Sequence, residues 1–159
     1  MKQYSKLVKG INGFLKVAIA LFLALMSMTI IAQVIFRMLK MALPWSEELT
    51  RYLMEYVVFW GAAYAFSYKG HMIVNLLVDR YQGKVRKIWE IGVYLFLVFF
   101  FILVIKNSLS WIFTTRSQVS AAMQIPMWTV YMAIPTGSLF AILNCLEIIF
   151  REIRGEESV

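Results

Sequence analysis

The sequence predicts an all-α integral membrane protein with four transmembrane helices and both termini in the cytoplasm. Three observations carry this reading. Of 159 residues, 61% are hydrophobic and only 16% charged, with mean hydropathy +0.71, which is a membrane composition and not that of a soluble core. Four apolar stretches of span length lie at about 14–38, 46–68, 88–111 and 126–150. Placing the first as leaving the cytoplasm puts eleven Lys and Arg residues on the inner side and five on the outer, which satisfies the positive-inside rule. Residues 1–159 then form a single four-span membrane domain, one compact bundle with no separate soluble domain.

The first stretch is the cleanest. No charge interrupts residues 17–36, and Ser27, Thr29 and Gln33 are its clearly polar members. Twenty uncharged residues exceed the ~7–15 of a signal-peptide apolar region, so this is read as a retained span in spite of Lys2, Lys6 and Lys9 before it. Residues 1–15 leave room for an additional interfacial helix. Arg37 closes the span.

The second stretch opens on Pro44, Trp45, Ser46, Glu47 and Glu48, followed by Arg51 and Glu55. Ser46 is a suitable N-cap, and two acids in the first turn complement the positive end of the helix dipole. On a helical wheel Glu47, Arg51, Glu55 and Glu48 fall at roughly 0, 40, 80 and 100°, so all four share a face. Arg51 stands three or four residues from each acid, the spacing at which opposite charges meet. Ala62 and Ala65 continue beneath that arc as a small-residue stripe that lets another helix approach closely. Three readings of the charges remain open: ordinary interfacial charges, a structural ion-pair cluster that sets the helix against a partner, and a proton- or ion-carrying site. Functional intramembrane acids usually lie deeper than these, which weighs against the last.

The third stretch carries Lys106 inside it, about 27 Å along the helix from Ile88, where its ammonium can snorkel to the far interface as an anchor. The fourth begins with Pro126 at a first-turn position and holds Pro135, which removes one ladder bond, leaves the Tyr131 carbonyl without its donor and predicts a kink.

Net charge +7 would suggest nucleic acid in a soluble protein. Here the basic residues follow topology, and no basic, aromatic-bearing face for nucleic acid exists. Trp45, Trp111, Trp128 and Trp89 fall near span ends as an interfacial belt in contact with membrane lipids, whereas Trp60 falls mid-span. The lone Cys145, in an apolar segment, reads as a packing residue. His71 is the sole histidine, on the basic inner loop after Gly70, so no bis-histidine haem or zinc cluster can be assembled and no cofactor is expected. No phosphate-binding glycine loop is present, and no nucleophile has a base at a plausible spacing. A self-contained enzyme is not indicated, and the absence of an acid in mid-membrane argues against a self-contained pump.

Arg37, then Trp45, Ser46, Glu47, Glu48 and Leu49 with Arg51, then Gly61, Ala62 and Ala63, then Gly70 and His71, followed by two spans with Pro126 and Pro135, resemble the small permease subunit of a TRAP (tripartite ATP-independent periplasmic) transporter, the DctQ-like family. The resemblance covers essentially the whole chain. It implies a non-catalytic scaffold in the bacterial inner membrane. Its partners would be a large multi-span, elevator-type permease that holds the sodium-coupled substrate site, and a periplasmic substrate-binding protein. The cargo implied is an organic acid such as a C4-dicarboxylate, a sialic acid or a sugar acid, taken up by symport. An unfused chain is expected to need the large subunit as a separate polypeptide. Two alternatives from other classes are a membrane anchor subunit of a redox or other complex, which would copurify with bound cofactor, and a self-sufficient channel or exporter, which would conduct alone in liposomes.

Overall fold

The computed structural model describes residues 2–67 and 84–154, and its described residues are helical apart from short connections. His71, Gly70 and the last residue of the expected second span lie outside them. Five helices follow in order: α1 Lys2–Met38, α2 Pro44–Ala65, α3 Lys84–Thr114, α4 Met127–Tyr131 and α5 Ala133–Arg154. Three rods are long and apolar enough to cross a membrane: Gln3–Met38, Ile88–Thr114 and the α4 and α5 pair, Met127–Arg154.

α1 is one uninterrupted helix of 37 residues, about 55 Å long, so the separate interfacial helix considered for residues 1–15 does not form. The physical reason is local: Gly10 and Gly13 are the weak helix formers there, no proline intervenes, and Tyr4, Ser5 and Asn12 are held against α5. The helix ends in a Schellman-type turn in which Lys40, at φ 61°, donates to the Arg37 carbonyl and Met41 to that of Phe36.

α2 starts two residues before the expected Ser46. Leu43 is its N-cap and Pro44 its first residue, a position where proline's missing N–H costs nothing. Ser46 is not a cap. It is fully buried, and its hydroxyl donates to the Leu43 carbonyl at 2.7 Å.

The helix is interrupted near the place where a kink was expected. Met132 separates α4 from α5, and Pro135 falls in the first turn of α5, where the ladder bond it cannot make is already interrupted. Thr136 covers the joint: its hydroxyl donates to the Met132 carbonyl at 2.6 Å and lies 3.2 Å from that of Ala133.

Among the described residues the helices pack in the order α1, α2, α5, α3, an open row; α1 also reaches α5 near its N-terminus, but α1 and α3 do not touch. Two seams hold the row. Between α2 and α5, Gly137 lies so near Phe59 that a Cβ added to it would stand 2.7 Å from the Phe59 Cβ and 2.9 Å from its carbonyl carbon. Between α3 and α5, Tyr94, Cys145 and Ile149 are buried together, with Leu97, Val98 and Leu146 around them. Cys145 is thus a packing residue, as its setting in the sequence indicated.

Candidate functional site

Helix α2 carries the residues singled out in the sequence and presents two unlike faces. On the packed face, Tyr52, Tyr56, Trp60 and Ala63 follow at three- and four-residue spacing. The Tyr52 hydroxyl lies 3.6 Å from the Met127 sulfur, Tyr56 donates to the Thr129 carbonyl at 2.6 Å, and the Trp60 indole N–H donates to the Thr136 hydroxyl at 3.0 Å. Ala63 is fully buried, and its carbonyl accepts from the Asn144 amide at 2.9 Å. The mid-span Trp60 is therefore the centre of an aromatic cluster, with Phe14, Phe22, Tyr56 and Phe140 at centroid distances of 5.3–6.0 Å. Its polar atom is satisfied at the α4/α5 joint, as a buried N–H in a membrane requires.

The opposite face is bare. Glu47, Arg51, Met54, Val58, Ala62 and Ala65 are all exposed and recur at helical spacing. Among the described residues no helix covers the Ala62 and Ala65 stripe; the close approach is made instead at Ala63 and Gly137.

A cluster of all four charges around Arg51, one of the three readings left open, does not assemble, although Arg51 still acts electrostatically on Glu55 one turn further along α2. Among the described residues Arg51 makes no ion pair within 4 Å. Glu48 turns away from it and accepts two backbone hydrogen bonds at 2.9 Å, from Ala122 to Oε1 and from Met123 to Oε2. The competition has a simple basis, since a carboxylate that receives two aligned N–H donors from a rigid turn gains more than one facing a solvated guanidinium. The turn is rigid because Ser120 donates to the Ile125 carbonyl and Met127 to that of Gln118, while Gln124 at φ 54° reverses the chain. Glu48 stands in the first turn of α2, ahead of the charge-free run that begins at Tyr56. Its two N–H donors hold its pKa below the usual carboxylate value. Trp45 is 44% exposed and Arg37 is exposed in the last turn of α1, both at this end of the molecule; Pro126, also exposed, is the N-cap of α4.

At the other end lies a polar network that the sequence reading did not single out. Asn12 and Asn144 exchange amide hydrogen bonds of 2.8 and 3.1 Å. Glu147, 9% exposed, accepts from Ser5 at 2.9 Å and from Arg151 at 2.6 Å. Tyr4 donates to the Leu143 carbonyl at 2.9 Å. The spacing of Glu147 and Arg151 was legible as a helical ion pair; that Asn144 would meet Asn12 from 132 residues away was not. Among the described residues no buried side-chain nitrogen or oxygen is left without a partner, and no three His, Cys, Asp or Glu side chains form a metal-binding group.

The model of the family described as "Tripartite ATP-independent periplasmic transporters, DctQ component" matches residues 26–155. The chain belongs to the DctQ family. A curated relative, the C4-dicarboxylate TRAP transporter small permease protein DctQ of Rhodobacter capsulatus, is 26% identical over 125 residues, covering 72% of this chain and 52% of the relative. The chain thus spans about half the length of that relative. Membership makes this chain a small permease component of a transporter, in keeping with its membrane-crossing helices. The family match begins within α1 and takes in all of α2, α3, α4 and α5.

Proposed function

We propose that this chain is a non-catalytic scaffold subunit of a TRAP transporter in the bacterial inner membrane, and that the bare face of α2 is where the large permease subunit docks. The observation that carries this is the division of α2 itself. One face is packed and hydrogen-bonded within the chain, and the other offers Arg51 and Glu47 at one end and the small Ala62 and Ala65 further along, all uncovered. Arg51, exposed and without an ion pair within 4 Å among the described residues, can receive a carboxylate from another chain, and small residues admit a helix at short range. In this reading α2 is the fourth span, its first three turns standing in the headgroup region, and both termini are cytoplasmic. Transport is sodium-coupled and the cargo is an organic acid, with C4-dicarboxylates favoured by the name of the Rhodobacter capsulatus relative. A periplasmic binding protein delivers it, and the large subunit holds the substrate site. Support for a passive role comes from the buried side-chain polar groups, each of which, among the described residues, has a hydrogen-bond partner within the chain.

Purification of the tagged chain from native membranes in mild detergent, with mass spectrometric identification of what accompanies it, tests the reading. A stoichiometric many-span permease is expected, and Arg51→Ala should reduce its recovery while leaving the chain itself folded. Undiminished recovery and uptake in Arg51→Ala would remove Arg51 from the interface, and recovery of the chain alone would overturn the scaffold role.

A further inference from the structure

At the end of the molecule opposite Glu48, helices α1, α2 and α5 leave a cleft of about 390 Å³ lined by Lys9, Gly13, Lys16, Ser67, Glu147 and Arg151, among others. Its charges are unevenly committed. Glu147 is neutralised by Arg151 within 2.6 Å and also holds Ser5. Lys9 and Lys16 are exposed, and among the described residues neither makes an ion pair or a hydrogen bond. Seven residues apart, they project from one face of α1 with about 10 Å of helix axis between them. Gly13 lies between, and a Cβ placed there would meet nothing within 4 Å. The result is an open notch flanked by two ammonium groups that no described residue neutralises.

The level of the notch decides what would occupy it. Lys16 immediately precedes the uncharged residues 17–36, so the cleft stands where headgroups meet hydrocarbon. The face of α1 that bears Lys9 and Lys16 continues as Ala20, Leu23 and Ile30, all exposed, a track along which an acyl chain can lie. A soluble anion would use the cations alone; a phospholipid uses both the cations and the track. We propose that this cleft is a binding site for the phosphodiester headgroup of an anionic phospholipid, with Lys9 and Lys16 as its ligands, Arg151 held by Glu147 as the wall behind them, and the lipid chains along Leu23 and Ile30. Basic pockets between membrane helices recognise anionic headgroups by this combination of charge and depth. The site is separate from the bare face of α2, and its test does not depend on the identity of a protein partner.

The full chain, purified and stripped of lipid by detergent exchange, is offered phosphatidylglycerol, cardiolipin or phosphatidylcholine and read by native mass spectrometry, with thermal unfolding as a second measure. Phosphatidylglycerol and cardiolipin should be retained at least about tenfold over phosphatidylcholine. The double variant Lys9→Gln, Lys16→Gln should lose that preference, and Lys9→Arg, Lys16→Arg should restore it. Lys6→Gln, exposed on the same helix but outside the cleft, should bind as the unaltered chain does. Retained preference in the double glutamine variant would overturn the site. Equal loss in Lys6→Gln would reduce it to a general basic surface, and inorganic phosphate raising the unfolding temperature as much as the lipids would make it a site for a soluble anion.

Discussion

The two faces of α2 belong to one helix and differ in what completes them. The face of Tyr52, Tyr56, Trp60 and Ala63 is completed by this chain: each polar atom finds a partner on α4 or α5, and the rings interlock with those of α1. The face of Arg51, Met54, Val58, Ala62 and Ala65 is left exposed by the described residues. In a membrane, apolar exposure alone is no sign of a partner, because lipid covers it. The lesson of the comparison is that an exposed small-residue stripe headed by an exposed arginine differs from an exposed surface such as Phe96 and Phe99 of α3, which is bulky and uncharged.

Substitutions on the packed face should therefore unfold the isolated chain, and those on the bare face should not. The largest effect is expected for Trp60→Ala, which removes four ring contacts and the hydrogen bond to Thr136, at a cost of about 3 kcal/mol or more in thermal unfolding in mild detergent. An unchanged transition would show that the aromatic cluster does not hold the row together. Gly137→Ala comes next, at about 1–3 kcal/mol, because the added methyl meets the Phe59 backbone and not a side chain that could swing aside. Asn144→Leu should cost about 1–2 kcal/mol by leaving Asn12 and the Ala63 carbonyl unpaired, and Asn12→Leu added to it should recover part of the loss.

Glu48→Gln is expected to have a smaller and local effect, faster hydrogen exchange at the Ala122 and Met123 amides. Because the folded-state pKa of Glu48 is lowered, its contribution is complete above the ordinary carboxylate range and is lost as pH falls through the depressed value. The same amides should thus lose protection on acidification, after allowance for the intrinsic pH dependence of exchange, and the glutamine variant should show no such step. At the bottom of the series, Ala62→Leu should leave the unfolding transition within about 0.5 kcal/mol of the unaltered chain while it reduces recovery of the large subunit. A marked destabilisation there would erase the distinction between the two faces.

Much of this was legible in the chain. The uncharged run 17–36, the break near Pro135 and the packing role of Cys145 follow from hydropathy, ring geometry and residue type, which act over a few residues. The ends of elements were less so. Ser46 has the right chemistry for a cap, yet Pro44 fixes the helix start two residues earlier and leaves the Ser46 hydroxyl inside. The charged face of α2 was legible as a wheel, but which of its charges pair was left open. Helical spacing brings Glu48 near Arg51, but it cannot register the two amides of a turn 74 residues away that take the carboxylate instead.

By itself, then, the sequence determined that this protein is a helical membrane chain, where its uncharged segments run, and its resemblance to the DctQ family, since composition and short motifs survive without knowledge of contacts. Only the tertiary structure decided that the helices stand in an open row, that Gly137 and not the Ala62 stripe makes the close approach, that Asn12 meets Asn144, and that Arg51 is left uncovered. The reason is physical. Which polar groups pair in a low-dielectric interior depends on who arrives first and at what angle, and a carboxylate or amide has more possible partners along the chain than it has places to bond once the helices are packed.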